Sequence, residues 1–269
     1  MRKRLGQSLR IGVAPSGITL LAVRRWGGAP AGILAELRLE HSSHPDALGA
    51  ALRLVLADAG CAGWPATIVL ADELVRLWQV APPAGTARLA DLEAAAGLRF
   101  QALYGESALG WRIAAGWDAV QPFLAAAMPH ALLDQLQRAC DEAGVDVVEI
   151  VPQFVAGFNQ WRGALKPGAW YGNVQEGVLT LGALERGALQ AVRAAALPEG
   201  ASLEWLARHV AREALRLNLA APGRIQVSGG APAGWSGALH AALSCSLLGH
   251  ARDDAWPAGA RLAATGSAA

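Results

Sequence analysis

The stretch IGVAPSGITLLAV, residues 11–23, constrains this chain more than any other segment. Apolar residues alternate or run together on both sides of Pro15, Ser16 and Gly17, so it reads as two short strands closed by a tight turn. Residues 33–40 extend it to a three-strand meander. Pro45-Asp46 then opens a helical pattern with Leu48, Leu52, Val55 and Leu56 on one face, ending near Gly60, and residues 67–70 read as a buried strand. The same order returns later. Residues 169–174, 177–181 and 189–194 form a second meander, and Ser202 is placed to cap a helix running to Leu219 with Leu203, Leu206, Val210 and Leu217 inward. Residues 225–227 then enter a Ser228-Gly229-Gly230 turn. Meander, helix and strand occur twice, an internal duplication that points to an α/β chain of two related lobes.

The segment between the copies reads as a small inserted βαββα subdomain. Residues 74–80, 111–115, 123–128 and 145–150 are strand-like, and residues 87–98 form a helix with Leu89, Leu92 and Ala96 inward. Leu132, Leu133, Leu136, Ala139, Cys140 and Ala143 give a second helix, stopped by Gly144. The expected organisation is a first lobe over 1–72, an insert over 73–150 and a second lobe over 151–269. In the second lobe, residues 154–165 are expected to be helical. Residues 235–248 also read as a helix, and the tail 261–269 as weakly helical or disordered.

A chain of 269 residues can bury a sizeable core. Its 53% hydrophobic content owes much to alanine, and its apolar runs are broken well short of the roughly 18 residues a spanning helix needs. Met1-Arg2-Lys3-Arg4 is basic, but no apolar run of about 7–15 residues follows, so no signal peptide is read and a soluble cytoplasmic protein is expected. A net charge of +1 gives no electrostatic footprint for nucleic acid. Arg2, Lys3 and Arg4 fit a solvated terminus, with contact to anionic lipid as the alternative. Ten tryptophans serve as core packing or as partner anchors.

Catalytic chemistry finds little support. Cys61, Cys140 and Cys245 are widely spaced with no Cys-x-x-Cys pair, and His41, His44, His130, His209, His240 and His250 lack metal-ligand spacing and read as surface or capping groups. Asp141-Glu142 and Asp253-Asp254 are adjacent pairs whose side chains point apart. Ser228-Gly229-Gly230 lacks the frame of a nucleophile elbow. No nucleophile, base and oxyanion donor assemble, so no enzyme and no metal site are expected.

These motifs resemble the pilus-assembly PilM family and, more distantly, the cytoplasmic domain of type II secretion GspL proteins, both actin-like (FtsA-like) scaffolds. The family opening, similar to I-G-V-D-I-G-x-x-S-V-K, lands on residues 11–21. FLAAAMP at 123–129 and AGVDVVEI at 143–150 resemble the family's insert, and IQVSGG at 225–230 its adenosine-side glycine turn. The resemblance implies an α/β actin/Hsp70-like (ASKHA, ribonuclease H-like) two-lobed fold. It places Gly12, Ser16, Thr19, Gly172, Gly229 and Gly230 at degenerate nucleotide-loop positions. Other readings stay open: Gly229 and Gly230 as a simple tight turn, and Ser16 and Thr19 as local satisfiers of the hairpin.

Departures from the pattern weaken nucleotide chemistry. Ala14 stands where the family has Asp, Ser16 where it has Gly, and Leu21 where it has Lys. Tyr171-Gly172-Asn173-Val174 stands where an Asp-x-Gly turn is expected. A Mg²⁺-bound triphosphate needs carboxylates or their waters and close backbone N–H groups, and Ala14 and Tyr171 supply no carboxylate. The expectation is therefore a non-catalytic scaffold of a type IV pilus or type II secretion-like inner-membrane platform, a pseudo-ATPase without cofactor. In the family, the insert and first lobe hold the short cytoplasmic N-terminal peptide of a PilN-like membrane partner. The alternatives are a weak ATP-binding protein and a kinase-like enzyme of the same superfamily.

Overall fold

A computed structural model describes residues 6–24, 32–85, 88–236, 239–240, 242–249 and 256–267. Met1 to Arg4, Trp26, His250 and the pair Asp253-Asp254 lie outside the described residues. The chain divides into two compact units, Met1–Val75 with Met128–Ala156 and Ala255–Ala269, and Arg76–Ala127 with Gly157–Asp254.

The first unit is built on a five-stranded sheet in the order β3-β2-β1-β4-β8. Its strands are β1 (Gln7–Ala14), β2 (Gly17–Arg24), β3 (Gly32–Arg38), β4 (Pro65–Leu70) and β8 (Asp146–Pro152). The meander is antiparallel, whereas β1 with β4 and β4 with β8 are parallel. Parallel neighbours need a crossover, and α1 (Pro45–Ala57) and α3 (His130–Glu142) supply one each and pack on one another. Helix α1 starts where its sequence says it should. Pro45 occupies the first turn, the His44 ring accepts from the Asp46 N–H at 3.3 Å, and Leu48, Leu52, Val55 and Leu56 are buried. At Gly49 the two helices come so close that a Cβ would stand 2.9 Å from that of Gln135.

The other face of this sheet is covered by α6 (Ala258–Ala264), which packs on β1 and β2. Ala260, Leu262 and Ala263 of α6 are fully buried, so the helical part of the tail is ordered core rather than a loose end. Arg10 holds its C-terminus, donating from Nε to the Ala263 carbonyl at 2.6 Å and from a terminal nitrogen to that of Thr265 at 2.5 Å. A cation at a helix C-terminus satisfies orphan carbonyls and complements the dipole.

The second unit repeats the plan. Its six-stranded sheet has the order β11-β10-β9-β12-β14-β13, from β9 (Ala169–Gln175), β10 (Val178–Glu185), β11 (Ala188–Ala196), β12 (Arg224–Gly229), β13 (Leu239–His240) and β14 (Leu243–Leu248). Helix α5 (Leu203–Arg216) is capped by the Ser202 hydroxyl on the Trp205 N–H. Trp170, Leu206, Val210, Ile225 and Trp235 are all but inaccessible in the core, and the Trp235 indole donates to the Ala201 carbonyl at 2.8 Å. Beside this sheet stands a three-stranded one, β5-β7-β6, made of β5 (Arg76–Val80), β7 (Phe123–Pro129) and β6 (Trp111–Ala115). Helix α2 (Leu89–Tyr104) packs on it through Leu92, Ala96 and Phe100, with the Trp78 and Phe100 rings 5.3 Å apart. The Gln79 amide donates to the Leu189 carbonyl, joining β5 to β11. The chain passes from one unit to the other within α4 (Gln153–Trp161).

The duplicated meander-helix-strand is thus present as two sheets that share the order of a meander followed by two parallel strands. Three expectations are corrected. The insert is shorter than 73–150: α3 and β8 belong to the first unit, because the apolar face of α3 packs on α1 and β8 completes the parallel edge beside β4. Residues 243–248 form a strand, not a helix, because Ser244 to Leu248 pair along β12. The helix expected from 154 to 165 stops at Trp161 and continues only as a single tight turn, Arg162–Ala164.

Candidate functional site

In open α/β sheets, ligands gather at the carboxyl ends of parallel strands. In the first unit those ends are Ala14 of β1, Leu70 of β4 and Pro152 of β8. Ala14 is 2% exposed and packs with Val69, Ala71, Val151, Ala156 and Leu262, a wholly apolar cluster. Leu21 is fully buried as well. The positions where the resemblance expects a carboxylate and a lysine are both occupied by buried hydrocarbon.

Gly12 and Thr19 face each other across the β1–β2 ladder, and both lie under α6. A Cβ on Gly12 would stand 2.7 Å from the Gly259 carbonyl oxygen and 2.9 Å from the Ala263 nitrogen, while the Thr19 hydroxyl abuts Gly259. Small residues here let helix and sheet approach. Thr19 is a buried strand residue rather than a turn residue. Ser16 does sit in the turn, where Pro15 has no N–H to offer a phosphate. The carbonyls of Pro15 and Ser16 accept from Ser42 at 2.7 Å and Leu39 at 2.8 Å, which ties the hairpin tip down.

Two polar groups at this end escaped the sequence reading. Asp72, buried just beyond β4, accepts from the Phe154 N–H at 2.9 Å, placing its charge at the N-terminus of α4. Gln153 is 1% exposed, and neither its amide oxygen nor its nitrogen meets a hydrogen-bond partner among the described residues. An unpaired buried amide marks a place for water or ligand. The available signal was positional: each lies within two residues of the carboxyl end of a parallel strand.

In the second unit, the parallel trio β9, β12 and β14 ends beside a buried polar relay. Ser228 donates to the Asn173 amide oxygen at 3.2 Å, so the Tyr171 hydroxyl, 2.7 Å away, must donate to Ser228. The Asn173 nitrogen is left without an acceptor among the described residues. Gly229 adopts φ +84°, and a Cβ there would collide with the Val174 carbonyl, so glycine is required by the strand exit itself. Gly230 donates its N–H to the same carbonyl at 2.9 Å. Gly172 is packed among Val227, Leu179 and Ile225. Each glycine of the second loop therefore has a packing or turn role. Of the six residues, the structure brings Gly12 with Thr19, and Gly172 with Gly229 and Gly230, to their respective sheets.

Among the described residues no group of three or more His, Cys, Asp or Glu could hold a metal ion, and no helix is long and apolar enough to cross a membrane. The three thiols are buried and free. Burial pushes Cys140 up to about 12, helped by Asp141 and Cys61, and Cys245 up to about 11, so neither is a nucleophile near neutrality.

The two sheets of common order define an actin-like α/β fold, and comparison with solved structures agrees. The cytoplasmic domain of EpsL, an inner-membrane component of the type II secretion system of Vibrio cholerae, matches over 96% of this chain and 92% of its own, with a TM-score of 0.61 at 12% identity. A Bacteroides thetaiotaomicron protein with an actin-like ATPase fold and unknown function matches over 85% and 84%, with a TM-score of 0.59 at 12% identity. A PilM–PilN type IV pilus biogenesis complex matches over 77% of this chain and 65% of the other, with a TM-score of 0.51 at 17% identity. No family model and no curated protein sequence matches. The actin-like ATPase fold is shown, and a type II secretion component and PilM are among the structures that share it.

Proposed function

We propose that this chain is a non-catalytic cytoplasmic scaffold, peripheral to the inner membrane, in a type IV pilus or type II secretion-like assembly platform, and that it binds the short cytoplasmic peptide of a PilN-like membrane protein. The carrying observation is the apolar cluster around Ala14. In a fold whose nucleotide chemistry needs a carboxylate at that strand end, hydrocarbon fills the space, which favours a retained scaffold over an ATPase. The EpsL and PilM likenesses supply the class of assembly.

The three-stranded sheet offers a docking element. Its order leaves β6 at an edge, open to pairing by an extended peptide. Around it the second unit exposes large apolar side chains, Leu109 at 91%, Val120 at 78% and Leu98 at 70%. The test is co-purification from membranes with a single-span protein that carries a short cytoplasmic N-terminal peptide. Leu109→Asp with Val120→Asp should lower recovery at least tenfold without changing the melting temperature. Full recovery with the double variant places the partner elsewhere, and no partner at all overturns the scaffold reading.

A second reading, weak nucleotide binding without hydrolysis, is favoured by one observation, the unpaired amide of Gln153. Thermal shift with ATP and Mg²⁺ separates the two, since a ligand at 100 times its Kd stabilises by about 2.7 kcal/mol. No shift is expected. A Mg²⁺-dependent ATP turnover that disappears on replacing Ser16 or Gly229 would defeat the non-catalytic assignment.

A further inference from the structure

The second unit holds a solvent-open pocket of about 210 Å³, lined by Arg193, Ala194 and Ala195 of β11 and by His209, Arg212, Glu213 and Arg216 of α5. That is several times the roughly 30 Å³ share of one liquid water. Three guanidiniums face a single carboxylate, so with His209 neutral the lining carries a net charge of +2. His209 and Glu213 are buried, whereas Arg193, Arg212 and Arg216 are exposed.

The internal pairing leaves donors over. Arg216 holds Glu213 at 2.8 Å and Arg212 approaches it at 3.8 Å. A guanidinium can only donate, so the 2.8 Å contact from Arg212 to His209 Nδ1 makes Nδ1 the acceptor and puts the ring proton on Nε2. That Nε2 is buried and meets no acceptor among the described residues. Trp205 stacks on the ring at 5.1 Å and 7°, fixing its plane. Arg193 donates from one terminal nitrogen to the Val192 carbonyl at 3.3 Å, which leaves most of its fork unused. Planar guanidiniums match phosphate oxygens.

We propose that this pocket binds a small anion of the phosphate class, either free phosphate or a phosphate-ester headgroup, with Arg193 and Arg212 donating to its oxygens. Neither the proposed scaffold role nor the strand-end sites use these residues.

Isothermal titration with inorganic phosphate at low ionic strength is the test, with quenching of Trp205 fluorescence as a second readout. Saturable binding is expected, weakened at least tenfold by Arg193→Gln with Arg212→Gln. Both side chains are exposed, and Arg216 still holds Glu213, so the variant keeps its fold and an unchanged melt verifies this. Arg212→Lys keeps the charge but loses the fork, and should recover part of the affinity. Co-sedimentation with phosphatidylglycerol vesicles, against phosphatidylcholine controls, distinguishes the sources. Pelleting that phosphate competes away and the double variant abolishes identifies a lipid headgroup, whereas phosphate binding without pelleting identifies a free ligand. No saturable phosphate binding, or binding equal in the double variant, overturns the proposal.

Discussion

The two units share the order of a meander followed by two parallel strands, yet their strand ends are finished in opposite ways. In the first, Ala14, Val69, Ala71, Val151, Ala156 and Leu262 close the end of β1 with hydrocarbon. In the second, Tyr171, Ser228 and Asn173 close the end of β9 with a buried chain of hydrogen bonds. The turns differ in the same sense. The β9–β10 hairpin turns at Glu176 and Gly177, both at positive φ, as a twisted two-residue turn prefers. The β1–β2 hairpin turns at Pro15 and Ser16, where proline removes an N–H. The lesson is that one topology tolerates a dry end and a polar end equally well, provided every group at the end is consistent with its neighbours.

Restoring a carboxylate to the dry end should produce the largest effect. Ala14→Asp would bury an unpaired charge, and a loss of about 3–5 kcal/mol is expected by urea unfolding. A stable Ala14→Asp protein that acquires Mg²⁺-ATP binding would show that the dry end is only nominally closed. Next in size is Leu262→Ala, which removes a fully buried side chain of the tail from the same cluster and should cost about 2–5 kcal/mol. Retention of wild-type stability would mean that α6 is not part of the first unit's core.

On the polar end, Ser228→Ala takes away the centre of the relay and its bonds to the Tyr171 hydroxyl and the Asn173 oxygen. A loss of about 1–3 kcal/mol follows, smaller than at the dry end. An equal or larger loss than for Ala14→Asp would reverse the comparison.

The smallest effect is a pH dependence in the second unit. Burial lowers the pKa of His209 below its ordinary 6.5; Glu213 opposes this, and Arg212 and Arg216 add to it. The unfolded chain therefore binds this proton more readily. Stability from His209 is fully present above pH 6.5 and is lost as pH falls through 6.5 toward the folded value. His209→Gln should flatten that part of the stability profile. An unchanged slope would mean that other groups set it.

How much of this was legible in the sequence differs by element. The α1 and α5 helices carry their own start signals, His44-Pro45-Asp46 and Ser202, and a long apolar stripe, so local pattern sufficed. The stripe of α5 even carried the signal for its pocket, since His209 and Glu213 lie three and seven residues after the fully buried Leu206. Reading the histidines by metal-ligand spacing missed this, and His209 is buried rather than a surface or capping group. LSCSLL, residues 243–248, contained an alternation that a helical reading overlooked, because a short apolar run satisfies either period.

By itself the sequence determined the duplication, the meanders, the helices α1 and α5, and an alanine at residue 14 where the resemblance expects a carboxylate. Those features depend on residues within a few positions of one another, where hydrophobic period, caps and turns act locally. Only the tertiary structure decided that β8 joins the first sheet, that α6 closes the first strand end over Gly12 and Thr19, and that Arg193 meets His209 and Arg212 in one pocket. Each joins residues distant in the chain, from about 16 positions for Arg193 and His209 to over 240 for Gly12 and Ala263. Such pairings follow from which surfaces remain to be buried once the local elements exist, and that competition is settled across the whole chain rather than within any window of it.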